Sequence, residues 1–192
     1  MAHPEILLLP ILMFADYLLT VLGAKWREVK YGEHFKTEHY ELNPIWQAQI
    51  SRKQWFNPRH IILVTLICGA LGGLIELRDV SNALAEGILG CLFVAFGTII
   101  GRHLSNLLVF QRFAHAPTEI SGQVTMAHSL VLAISTYQYL VVVVPLGIIA
   151  TMSPTPYVVG GLGGSVLVLV IHWTWIYRYR KKLSKHGAAE RA

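Results

Sequence analysis

Five long apolar runs constrain this chain more than any other feature of its sequence. They fall at about 4–24, 59–76, 83–110, 124–152 and 157–177, each near or above the ~20 residues that a helix needs to cross a ~30 Å hydrocarbon core. In lipid only helices and closed barrels satisfy every backbone polar group, and runs of this length favour helices. The expected fold class is therefore all-α: an integral membrane bundle of five transmembrane helices. Residues 1–182 form one transmembrane domain and 183–192 a basic tail. The composition agrees, with 54% hydrophobic and 14% charged residues in 192 positions, far from the balance of a soluble domain. The first run lacks a basic leading segment and a small-x-small cleavage site, so it reads as a retained helix rather than a signal peptide.

The net charge of +5 matters less than where the charge lies. Lys25, Arg27, Lys30, Lys36, Arg52, Lys53 and Arg59 fall in the first loop, Arg112 in the third, and Arg178, Arg180, Lys181, Lys182, Lys185 and Arg191 in the tail. Only Arg78 falls on the other side. By the positive-inside rule the amino terminus is outside and the carboxyl terminus is in the cytoplasm, as expected for a protein of the cell (inner) membrane. Trp26, Trp46, Trp55, Trp173 and Trp175 share the cytoplasmic side, as an interfacial aromatic belt would. Juxtamembrane bases facing anionic lipid account for the charge, and no nucleic-acid partner is implied.

Local signals refine this plan. Asn43-Pro44 and Asn57-Pro58 each read as a helix start, with Asn as cap and Pro in the first turn, so Ile45–Trp55 is expected to hold a short helix in the membrane interface. Pro145 should kink the fourth helix. Glycines cluster at Gly87, Gly90, Gly97 and Gly101 in the third helix and at Gly160, Gly161, Gly163 and Gly164 in the fifth, where backbones could approach closely within the bundle or between copies. Gly97, Gly101, Gly160 and Gly164 are thus candidate contacts of a homo-oligomer. Cys68 and Cys91 lie inside helices and imply neither disulfides nor zinc. The Glu33–Glu41 stretch repeats Glu-His and reads as a solvated charged loop.

The chemistry-bearing feature is a set of polar groups inside the apolar runs. Counting about 1.5 Å per residue from each cytoplasmic helix end puts Asp16, Arg102, His103, His128 and His172 roughly 7–14 Å deep, with Thr20 and Asn106 one turn shallower. Ionisable groups at that depth are expensive and usually have a partner or a function. Stripes Asp16/Thr20, Arg102/Asn106, Thr125/His128/Ser135/Gln138 and Ser165/His172 predict a polar seam on the cytoplasmic side.

The candidate ligand- or ion-binding residues are Asp16, Thr20, Glu41, Asn43, Arg102, Asn106, His128 and His172. Asp16, His128 and His172 are the conceivable metal ligands. A purely structural account of the same residues pairs Asp16 with Arg102 in a packing salt bridge.

Asp16-x-x-x-Thr20 followed by Glu41-x-Asn43-Pro44 resembles a group of small prokaryotic membrane proteins, the DUF5658-type domain of unknown function, over the first quarter of the chain. The loop between the two motifs is longer here. The resemblance implies that Asp16, Thr20, Glu41, Asn43 and Pro44 act as one unit, with Glu41-Asn43 folded back beneath the end of the first helix; it supplies no catalytic chemistry and no cofactor.

Three functions remain in view. The first is a channel or transporter that binds or conducts a cation or proton at the seam, the reading preferred here. The second is a membrane-embedded enzyme, or a metal or haem protein, acting on a lipid or quinone. Neither H-E-x-x-H nor G-x-S-x-G is present to support it. The third is an accessory or scaffold subunit.

Overall fold

The computed structural model describes residues 3–36, 41, 43, 45–77, 81–116, 118 and 121–189, with side chains described to residue 181 except that of Leu77. Pro44, Arg78 and the end of the basic tail, all used above, lie outside the described residues or side chains.

The chain is mostly helical, and five of its helical stretches are long and apolar enough to cross a membrane: Pro4–Arg27, Pro58–Glu76, Asn82–His115, His128–Met152 and Pro156–Lys181. A 3-10 turn at Pro4–Leu7 leads into α1 (Leu8–Arg27). A single turn, α2 (Tyr31–His34), and a short helix, α3 (Gln47–Ser51), occupy the first loop. Then follow α4 (Pro58–Leu77), α5 (Asn82–His115), α6 (His128–Tyr137), α7 (Leu140–Met152) and α8 (Pro156–Ala189).

One of the two cap signals, that at Asn57, acts as the sequence implies, whereas α3, with Trp46 at its N-cap, has no side-chain cap. Asn57 Oδ1 accepts from the backbone N–H of Arg59 at 3.1 Å and of His60 at 3.4 Å, with Pro58 opening α4. Asn43 Oδ1 accepts from the N–H of Ile45 at 3.0 Å and starts the turn that runs into α3, which is shorter than the expected Ile45–Trp55.

The fold is built outward from α5, which packs along both α1 and α8; α6 and α7 lean on α8, and α4 rests on α1 at the edge. The α5–α8 contact explains the glycines of the last helix. A Cβ on Gly160 would overlap the Gly87 carbonyl, and one on Gly164 would overlap the Cys91 carbonyl. These two glycines bring helices of one chain together, so the expectation that they meet a second copy is corrected. Gly97 and Gly101 have open space beside them.

Three further departures stand out. The fourth apolar run is interrupted at Gln138–Tyr139, between α6 and α7, whereas Pro145 sits inside α7. The ring at Pro145 removes one N–H and crowds the carbonyl four residues back, at Val141; the chain takes up the change just before that residue, in the turn where Tyr139 N–H bonds to Thr136 O at 3.1 Å. The last helix does not end near 177 but continues to Ala189, so most of the basic tail is helical. Two residues from each of the first and third loops also pair as parallel strands, β1 (Phe35–Lys36) with β2 (Val124–Thr125), a small exception to the all-α plan. His34 Nδ1 to Gly122 O at 2.8 Å, with Gly122 at φ +84, holds the same clasp.

Candidate functional site

A cavity of about 420 Å³ opens among α1, α4, α5, α6, α8 and the first loop, on the side of the bundle that carries the clasp. Each helix delivers its share through spacing. Residues four apart put Asp16 and Thr20 on one face of α1; Arg102, His103 and Asn106 come from α5; His172 and Trp175 come from α8. The α6–α7 break contributes Gln138 and Tyr139, and the loop contributes Glu41, Asn43 and Trp46. Towards the opposite end the bundle is filled by Leu9, Met13 and Val64, then by Ile6, Ile75, Ala85 and Leu89. Beyond the cavity, the space among α1, α4 and α5 is therefore closed by apolar packing.

At its wall Asp16 meets His103, not Arg102. His103 Nε2 lies 3.2 Å from Asp16 Oδ1 and 3.1 Å from Thr20 Oγ1. Thr20 spends its single hydroxyl proton on the Asp16 backbone carbonyl at 2.8 Å, a common helix back-bond. Its oxygen must then accept, so Nε2 carries the hydrogen and donates it to the hydroxyl, with the Asp16 carboxylate beside it. The expected Asp16–Arg102 bridge is corrected for a geometric reason. Adjacent residues on a helix point about 100° apart, and α5 turns His103 towards α1 and Arg102 towards α6. There Arg102 Nη1 donates to Ser135 Oγ, and its guanidinium carbon sits 5.3 Å from the centre of the Tyr139 ring.

The same tautomer argument bears on reactivity. Thr20, His103 and Asp16 resemble a nucleophile, base and orienting acid, but a base must accept the hydroxyl proton on one nitrogen and donate to the acid from the other. Here a single nitrogen faces both groups and already holds a hydrogen. The arrangement does not activate Thr20. The other ring nitrogen, Nδ1, is buried with no hydrogen-bond partner.

Glu41 lies beneath this pair. Its Oε1 accepts from the Asn43 N–H at 2.7 Å, and its backbone carbonyl accepts from Gln47 Nε2 at 3.1 Å. Burial pushes the Glu41 carboxyl above the ordinary carboxylate range, the Asn43 N–H and the charges of His103 and Arg102 pull it back, and the Asp16 charge raises it again.

Seven of the eight residues singled out in the sequence, Asp16, Thr20, Glu41, Asn43, Arg102, Asn106 and His172, line this cavity. His128 does not. It opens α6 one turn below Val131, and its ring packs 4.9 Å from Tyr179. Among the described residues no three His, Cys, Asp or Glu side chains come together as a metal site, and with His128 elsewhere the trio Asp16, His128 and His172 does not converge.

Sequence reasoning missed the aromatic wall. His60 stacks on Tyr17 at 4.6 Å, Trp46 stands edge-on to both, and His60 Nε2 reaches the Met13 carbonyl at 3.2 Å. Tyr17 donates its hydroxyl to Gln54 O at 2.8 Å. His60 was discoverable: it is three residues past the Asn57 cap, and the same depth count places it at the mouth of the seam. Tyr139 was not, because its direction depends on the helix break.

No family model, curated protein or solved structure matches this chain. The class that the fold and cavity define is a helical bundle with five helices of membrane-crossing length and a polar cavity at one end.

Proposed function

We propose that this protein spans the cell membrane five times, amino terminus outside and carboxyl terminus in the cytoplasm, and that its cavity faces the cytosolic leaflet and binds a proton or small cation in the course of transport. The close Asp16–His103 pair at the cavity wall carries this reading. A carboxylate and an imidazole this near each other can take up or release a proton with little movement, and such groups at membrane depth mark ion and proton paths. The apolar filling beyond the cavity favours a carrier with one-sided access over an open pore. Asp16, Thr20, Glu41 and Asn43 act as one unit, as the resemblance to the DUF5658-type group implies. The α3 segment, with Trp55 and Phe56 exposed beside it, lies in the interface, and the open Gly97–Gly101 face meets a second copy.

Proteoliposomes with a trapped pH dye and an imposed potassium diffusion potential test the reading. Wild type should pass protons, and Asp16→Asn should lower the rate at least tenfold. An inert wild type, or equal rates in the two proteins, would overturn it.

A further inference from the structure

A second group of polar side chains on the same cavity is left without acceptors. Arg102 is held by one bond to Ser135, which leaves most of its five N–H donors unused. His172 is 6% exposed, and its Nδ1 is buried with no hydrogen-bond partner among the described residues. Its ring stacks on Trp175 at 4.9 Å and meets Tyr139 edge-on at 5.1 Å. Tyr139 is 1% exposed, and its hydroxyl has no hydrogen-bond partner among the described residues. Buried polar groups are nearly always satisfied. Two such groups packed together, with the Arg102 guanidinium over the Tyr139 ring and all three residues lining one cavity, point to an absent partner.

The chemistry of the three fixes the sign of that partner. Tyrosine and neutral histidine can donate or accept, but a guanidinium only donates, so the shared partner is an acceptor and an anion is the best one. The rest of the nearby lining, Ile99, Val131, Ile134 and Trp175, is apolar or aromatic, and a volume near 420 Å³ suits a small organic molecule.

We propose that the cavity binds an organic anion, with a carboxylate or phosphate oxygen head group on Arg102, His172 and Tyr139 and an apolar body against Trp175 and Ile134. This rests on the cavity being a binding site, as proposed above, and names what travels or binds with the proton or cation.

Isothermal titration of the full-length protein in detergent with benzoate, benzyl alcohol and benzylamine separates charge from shape. Dihexanoylphosphatidic acid serves as a lipid probe. Benzoate should bind at least tenfold more tightly than the neutral and cationic probes. Arg102→Gln should remove that preference, and Tyr139→Phe and His172→Phe, which keep the ring packing, should each weaken benzoate three- to tenfold. Binding of phosphatidic acid without benzoate supports the anion subsite with a lipid source; benzoate without phosphatidic acid supports a soluble one. Benzylamine binding as well as benzoate overturns the anion proposal and leaves the proton or cation reading standing. No binding by any probe, or benzoate affinity unchanged in both Tyr139→Phe and His172→Phe, also overturns it, whatever the proton flux.

Discussion

The two halves of the α5–α8 contact are made by the same pair of helices and have opposite character. In one half Gly87, Gly90 and Cys91 face Gly160, Gly161 and Gly164, and backbone meets backbone. In the other half Arg102, His103, His172 and Trp175 hold the helices around a cavity. Small residues let helix axes approach until van der Waals contact holds them, the main attraction available where lipid is as apolar as the side chains. Large polar residues prevent that approach and must satisfy one another instead. The difference shows that the closed half anchors the open one, since a cavity lined by unsatisfied groups contributes little to holding helices together.

This contrast breaks if the glycines are dispensable. Gly160→Val should destabilise the fold most, by about 3 kcal/mol or more, because the added atoms meet backbone that cannot yield. A thermal melt in detergent within a few degrees of wild type would show that the two helices do not touch there.

Gly97→Ala, placed in open space one turn before the cavity, should change stability by less than about 1 kcal/mol. Cross-linking of that variant reads the second-copy contact: loss of a dimer seen for wild type supports it, and an unchanged dimer removes it.

The polar half responds to pH rather than to volume. Burial raises Glu41 above its ordinary value of 4.5, so the folded protein keeps a proton that the unfolded chain gives up. Below that value both states are protonated and the effect vanishes; as pH rises above it the fold loses stability until Glu41 itself ionises. Glu41→Gln should therefore raise the melting temperature at neutral pH and flatten its decline between pH 4 and 7. A steeper decline in the variant would show that Glu41 is stabilised as a carboxylate.

Much of this was legible in the sequence because bilayer physics acts on single segments. Length and apolarity set the five helices, and depth along each helix follows from a fixed rise per residue, which is why residues as distant as Asp16 and His172 were assigned to one layer and line one cavity. Rotation about the helix axis is different. His128 shares the depth but not the cavity, and Asp16 takes His103 rather than its neighbour Arg102, because 100° separates consecutive side chains and only packing decides which faces meet.

The sequence by itself therefore determined the helices, their caps and the polar layer, since each depends on local composition and rise. The tertiary structure alone decided the partners: glycine contacts within the chain, the tautomer of His103 imposed by Thr20, and the turn that brings Tyr139 to His172. These depend on the angle and distance between helices, which the side chains at each crossing set together and no single segment encodes.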